Sequence, residues 1–219
     1  MTIFNVGGGG GSSGLTFKEM VAGPYEVKIS DWPDNITQIP TRQFYYDKNI
    51  TSVEIKNGIT KILANAFESA ENLRNVSLPA SLFQIDANAF AYTSIENIDL
   101  SHVTNLGSSS IYYCTSLQSV TLGNITRINN STFYYSINLP SITVPASVTR
   151  IDANAFYSMG SNTGSGVTIT MLPITPPTLA STGFNSVTFN KIIVPQGTLT
   201  AYQTATNWAA LDSYMEEAA

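Results

Sequence analysis

A repeat of 21 to 23 residues, its apolar positions in phase through six copies, constrains this chain more than any other feature. The units begin at Ile36, Ile59, Leu82, Val103, Ile125 and Val148, so successive starts lie 23, 23, 21, 22 and 23 residues apart. Three residues into each unit stands Ile39, Ile62, Ile85, Leu106, Ile128 or Ile151; five further on comes Phe44, Phe67, Phe90, Ile111, Phe133 or Phe156. The second half adds sets such as Leu73-x-x-Val76-x-Leu78 and Leu117-x-x-Val120-x-Leu122. Their final pairs alternate at period two, as a half-buried strand does. A period of this length is the mark of a solenoid.

One rung then reads as a turn, a short helical or irregular segment carrying the Phe, and a strand of about four residues. None of these pieces can bury its own apolar side. Stacked neighbours bury a continuous core instead, which is why such repeats need several copies and atypical ends. At about 4.8 Å between adjacent strands, seven or so rungs make a body on the order of 30 Å long, with the Phe column as a stacked aromatic spine.

The units resemble the bacterial leucine-rich repeats of the BspA type, V-T-x-I-x-x-x-A-F-x-x-C-x-x-L-x-x-I-x-L-P-x-S, over residues 36 to 158. The nearest copies are Ile59-Thr60-Lys61-Ile62 with Ala66-Phe67, Ile85-Asp86-Ala87-Asn88-Ala89-Phe90, and Val148-Thr149-Arg150-Ile151 through Ala155-Phe156. Cys114 falls on the family's cysteine position, and Pro79, Pro145 and Pro195 on its common proline position. The resemblance implies an α/β repeat solenoid, right-handed, with short strands on one face, an N-terminal cap strand and a C-terminal cap helix. It also implies adhesion or surface recognition rather than catalysis, by analogy of fold.

Four segments are expected along the chain. Residues 1–14, MTIFNVGGGGGSSG, form a Gly-rich tail with a short apolar tag at Ile3-Phe4-Asn5-Val6 and without the basic start and apolar run of a secretory signal. Residues 15–35 form an N-terminal cap, in which Tyr25, Val27 and Ile29 alternate as a strand before Trp32-Pro33-Asp34. Residues 36–158 are the repeats. In residues 159–219 a loop-forming run at Met159 to Gly166 is followed by a strand at Val167–Thr170 and the last strand at Lys191–Val194. Leu199, Tyr202, Ala205, Trp208, Leu211 and Met215 recur there as on one helix face, which would lid the core.

Composition narrows the function classes. Only 11% of the 219 residues are charged, and the net charge is −5, so there is no basic footprint for nucleic acid. No apolar run approaches the 18 or so residues of a membrane helix. Cys114 is the only cysteine and His102 the only histidine, which excludes a disulfide framework and a His/Cys zinc site within one chain. No nucleophile-elbow motif accompanies His102, which reads as a turn residue. Gly7 to Gly11 follow no strand and open no helix, so they read as linker rather than phosphate loop. Glu54 and Asp99 share an outward strand position two units apart, about 9.6 Å, near the wide end for an inverting glycosidase pair. A solvated sheet offers no apolar pocket to raise either pKa, so no enzyme, metal or cofactor is expected. Asp86 and Asp152 recur at one repeat position, which points to turn chemistry.

Two surfaces remain as recognition candidates. Outward strand positions run Ser52, Asn75, Asn97, Ser119, Ser141 and Glu54, Ser77, Asp99, Thr121, Thr143. They form either a hydrogen-bonding surface for a ligand or the polar outer face that any strand needs. After the Phe column stand Tyr45-Tyr46, Tyr92, Tyr112-Tyr113, Tyr134-Tyr135 and Tyr157. They form either a ladder opposite the strands, suited to sugars or proteins, or packing between rungs. The site residues singled out are Tyr112, Tyr113, Tyr134, Tyr135, Asn75, Asn97, Asp99 and Glu54. The expected partner is a protein or glycan on a cell surface, met at an extracellular or virion surface. The competing expectation is a receptor-binding subunit of a phage tail or similar particle, self-associating or anchored through Ile3–Val6.

Overall fold

Val, Ile and Thr crowd the end of each repeat, and β-branched residues fit a pleated, half-buried surface. The structure, a computed structural model, describes residues 24–28 and 32–219. The expected tail, its tag at Ile3–Val6 and the cap residue Ile29 lie outside the described residues. In chain order the strands are β1 (Tyr25–Lys28), β2 (Gln38–Ile39), β3 (Ile50–Glu54), β4 (Lys61–Ile62), β5 (Asn75–Ser77), β6 (Gln84–Ile85), β7 (Asn97–Leu100), β8 (Asn105–Leu106), β9 (Ser119–Leu122), β10 (Arg127–Ile128), β11 (Ser141–Val144), β12 (Arg150–Ile151), β13 (Val167–Met171), β14 (Thr178–Leu179), β15 (Phe189–Val194) and β16 (Met215–Glu217).

All pairings are parallel, and the chain coils through about eight turns of a solenoid. The longer strands line one side in two ladders, β1-β3-β5-β7-β9 and β11-β13-β15-β16. The two-residue strands line a second side, β2-β4-β6-β8 and β10-β12-β14. Equivalent residues of successive repeats stand in register, as Ser52↔Asn75, Asn75↔Asn97 and Asn97↔Ser119 show.

The third side carries the Phe column and is built from turns. In each rung alternate amides point along the solenoid: the N–H groups of Asn65, Phe67 and Ser69 donate to Ala87, Ala89 and Ala91 of the next rung at 3.0, 2.8 and 2.8 Å. Those of Ala66 and Glu68 close turns onto Leu63 and Asn65 at 3.2 Å. This alternation requires left-handed backbone two residues before and two after the Phe, with φ of 61° at Asn65 and 60° at Ser69. Inside, Phe44, Phe67 and Phe90 stack at 4.9 and 5.1 Å, and Phe133, Phe156 and Phe184 at 5.7 and 5.0 Å. Ile111 interrupts that spine. All are buried with the Ile39-to-Ile151 column.

Four expectations are corrected. The second sheet was not foreseen, because a two-residue strand cannot display a period of two. The single C-terminal helix is instead α1 (Leu199–Thr204), a 3₁₀ helix (Ala209–Tyr214) and β16. Thr and Asn around residues 204–207 are weak helix formers. Ala205 is extended (ψ 145°), Asn207 is left-handed (φ 66°), and the Asn207 amide donates to the Leu179 carbonyl at 2.7 Å. The apolar positions still meet the core: Tyr202 and Trp208 are fully buried, and Leu199, Ala205, Leu211 and Met215 pack against it. Finally, β16 rather than β15 ends the sheet. Helix among the described residues is confined to this cap, so the rungs are strands and turns rather than an α/β alternation.

Candidate functional site

The turn backbone of the third side sets where the tyrosines stand. The position two after the Phe is left-handed in every rung, a conformation that suits Gly or Asn and costs most other residues about 1–2 kcal/mol. Tyr46, Tyr92, Tyr113 and Tyr135 hold it nonetheless, with φ of 57–59°. Their rings make two adjoining columns with those one residue earlier. In one, Tyr112, Tyr134 and Tyr157 stack at 4.8 and 4.6 Å with interplanar angles of 13° and 11°. In the other, Tyr92, Tyr113 and Tyr135 follow at 5.4 and 5.1 Å. Cross-contacts Tyr134–Tyr135 and Tyr135–Tyr157, at 5.1 and 5.8 Å, close the six rings into one patch.

The patch lies at the surface, with Tyr92 42% and Tyr113 40% exposed and the other four half-buried. Its backbone runs, 87–93, 108–114, 130–136 and 153–159, contain no charged side chain. Burial first, then the charge and hydrogen bond of Tyr92, push the Tyr112 phenol up to about 12. Burial and Tyr157 push Tyr134 up as well. Both phenols therefore stay neutral at physiological pH. Rings stacked face to face hide their π faces from solvent and present hydroxyls and ring edges. Asn88, Ser109, Ser131 and Asn154, also left-handed at φ of 55–57°, recur at the position four residues earlier. They escaped the sequence reading, although Asn and Ser repeating four residues before a tyrosine column were a legible signal of such turns.

On the strand side, Glu54, Asn75 and Asn97 come together with Glu26, Ser52 and Ser77 around a shallow depression of 390 Å³. The Ser119 hydroxyl donates to Asn97 Oδ1 at 2.5 Å, continuing the column beyond it. Asp99 stands apart from this group, its carboxylate accepting the Ser101 N–H at 2.9 Å. Tyr112, Tyr113, Tyr134 and Tyr135 thus form one surface, and Glu54, Asn75 and Asn97 another on a different side.

Other singled-out residues have structural surroundings. Cys114 is fully buried beside Thr93 Oγ1 at 3.4 Å, and burial pushes its thiol up to about 11. His102 is exposed in a turn between rungs. Asp86 accepts the Gln84 amide at 2.7 Å, whereas Asp152 accepts Arg127 Nε and Arg150 Nε at 2.5 and 2.6 Å from a buried position. At this common repeat position each carboxylate accepts from the side chain two residues earlier, Gln84 or Arg150, and only Asp152 pairs across rungs as well, with Arg127. Among the described residues no three His, Cys, Asp or Glu gather as metal ligands, and no helix is long and apolar enough to cross a membrane.

A family model described as the BspA type leucine-rich repeat region matches residues 37–163 in six copies. No curated protein matches the chain. Among solved structures, the Treponema pallidum leucine-rich repeat protein TpLRR is similar at 19% identity and a TM-score of 0.60, over 90% of this chain and 87% of that one. The pneumococcal vaccine antigen PcpA is similar at 18% identity and a TM-score of 0.60, over 82% of this chain and 57% of that one. A leucine-rich repeat protein of Eubacterium ventriosum is similar at 16% identity and a TM-score of 0.50, over 59% of this chain and 34% of that one. The chain therefore spans about a third of the last and just over half of PcpA. At these identities the likeness is one of fold.

Proposed function

Because the chain belongs to the BspA type leucine-rich repeat family, we propose that it is a non-enzymatic recognition module that binds a protein or glycan at a cell surface through its tyrosine patch. The observation that carries this reading is the run of six contiguous rings on an uncharged surface, three of them, Tyr92, Tyr113 and Tyr135, occupying backbone that disfavours them. Stability alone argues against Tyr there, since Gly or Asn would fit the backbone at lower cost. Stacking makes the rings rigid, so little side-chain entropy is lost on binding. Tyr with Ser and Asn is also the composition that serves adaptable protein recognition.

The stacking bears on the partner class. A sugar bound through its apolar face needs an open ring face, and the inner faces here are covered by neighbouring rings. Neutral hydroxyls and ring edges suit a flat, uncharged protein surface better. The strand-side depression around Glu54, Asn75 and Asn97, with Asp99 on the same side, is the second candidate contact. The phage-tail alternative, anchored by Ile3–Val6, rests on residues outside those described; it is tested by comparing the solution mass of the full chain with that of a chain starting at Leu15.

The patch itself is tested with labelled wild-type chain and the variant Y112S/Y113S/Y134S/Y135S, applied to a glycan array and to immobilised extracellular-matrix proteins. The wild type is expected to bind at least one probe, and the variant to lose that binding at least tenfold while keeping its far-UV spectrum. Equal binding by a folded variant removes the patch from the function. Loss of binding confined to glycan probes transfers the reading from protein to sugar.

A further inference from the structure

Both sheets stop and restart at one boundary, between the rung that ends in β9 and the rung that ends in β11. In the three repeats ending in β5, β7 and β9 the residue before the long strand donates its N–H to the previous rung: Arg74 to Thr51 at 3.0 Å, Glu96 to Arg74 at 3.3 Å, Gln118 to Glu96 at 2.7 Å. The next residue in that series is Pro140, which has no N–H. No backbone hydrogen bond joins β9 to β11. On the short-strand side, Gly107 N donates to the Ile85 carbonyl at 2.8 Å and Asp152 N to the Ile128 carbonyl at 2.9 Å. At the boundary a side chain stands in, Asn129 Nδ2 donating to the Leu106 carbonyl at 2.5 Å. A depression of 360 Å³, lined by Asn105, Leu106, Gly107, Thr126, Arg127 and Asn129 among others, lies over this break. The Phe spine is also interrupted here, by Ile111.

The tyrosine side alone runs through unbroken. Ser109 N donates to Asn130 O at 2.9 Å, Ile111 N to Thr132 O at 3.2 Å and Tyr113 N to Tyr134 O at 2.7 Å. The rings of Tyr112 and Tyr134, and of Tyr113 and Tyr135, stack across the same boundary at 4.8 and 5.1 Å. Two hydrogen-bonded blocks, residues 25–122 and 125–217, are therefore joined along one side by three backbone bonds and two ring pairs, and elsewhere by packing and two side-chain bonds, Asn129 Nδ2 to Leu106 O and Asn138 Nδ2 to Thr115 O at 2.5 and 2.7 Å.

We propose that this boundary is a hinge, with the tyrosine side as its axis and the two sheet sides as its opening edges. On the reading that the tyrosine patch is the recognition surface, a partner gripping Tyr112 and Tyr113 together with Tyr134 and Tyr135 holds both blocks at once. Binding then selects one angle between the blocks, and that angle sets the curvature of the strand side more than 90 residues along the chain from end to end. Recognition on one face is coupled to the shape of another.

The hinge is tested without any ligand, so its failure is separate from failure of the recognition reading. Spin labels are placed at E54C and T170C, one in each block, and in a control at E54C and T121C within one block; buried Cys114 does not react. Distance distributions are read by pulsed electron paramagnetic resonance. The between-block distribution is expected to be about twice as wide as the control or more. P140Q, which restores the missing donor, should narrow it, and Y112S/Y134S should widen it while leaving the control unchanged. A between-block distribution as narrow as the control in the otherwise wild-type chain overturns the hinge, as does a P140Q distribution no narrower than that of Pro140.

Discussion

Asp152 illustrates what single residues do here. Burial alone would raise its carboxyl, but the hydrogen bonds from Arg127 and Arg150 outweigh it and hold the pKa below the ordinary aspartate value. A pKa depressed on folding means the unfolded chain takes up the proton first as pH falls. The stability this pair contributes is therefore complete above the unfolded value of about 3.9 and is lost as pH drops through the folded value. D152N should cost about 1–3 kcal/mol at neutral pH. The gap between wild type and variant, followed by urea unfolding, should hold down to about pH 5 and shrink below about pH 4. A gap unchanged at pH 3 would remove the ion pair from the account. The recurrence of Asp86 and Asp152 was visible in the sequence, with Gln84 and Arg150 two residues before them, but the Arg127 partner was not, because it lies a full rung before Asp152 and only stacking brings them together.

At the scale of elements, the corners between rungs decide how tightly they stack. Three residues separate Ile55 from Ile59, Leu78 from Leu82 and Val144 from Val148, but only two separate Leu100 from Val103 and Leu122 from Ile125. The two short corners lie one upon the other, and a Cβ on Gly123 would stand 2.4 Å from Val103 O and 2.6 Å from Leu100 O. Backbone atoms cannot yield as a flexible side chain can. G123A should therefore destabilise by about 1–3 kcal/mol, while exposed N124A beside it should stay within about 0.5 kcal/mol, both measured by thermal or urea unfolding. A tolerated G123A would show that the corners separate easily. The uneven spacing of 21 and 22 residues announced these corners. The two-residue strands and the broken cap helix were illegible for a related reason: neither is long enough for periodicity to distinguish it, and their form depends on what they meet.

For the whole molecule, the open ends of the solenoid are the weak points. The C-terminal end is closed by Trp208, whose Nε1 donates to the Pro177 carbonyl at 2.7 Å, and Tyr202, whose hydroxyl donates to the Pro173 carbonyl at 2.7 Å. Trp208 also meets Phe184, the last ring of the Phe spine, edge to face at 5.7 Å. Deleting residues 196–219 uncovers that ring and leaves β15 as a bare edge, which favours pairing with other chains. Light scattering should find the truncated chain in larger species than the full chain at equal concentration. A truncated chain of the full chain's oligomeric state and cooperative unfolding would mean the cap is dispensable.

The periodic positions of the sequence by themselves determined the solenoid, its core columns and the existence of a tyrosine column, because each repeat imposes the same burial pattern on its neighbours. Which rings stack, which face they show, and where the ladders break were decided only by tertiary structure. Left-handed turns aim Tyr92, Tyr113 and Tyr135 along one line, and stacking turns their faces inward. Pro140 was plain in the sequence as a residue without an N–H, but only the bonds of the equivalent residues Arg74, Glu96 and Gln118 to their previous rungs show which hydrogen bond it lacks. Periodicity reports which residues are equivalent; contact between equivalents exists only once the rungs are stacked.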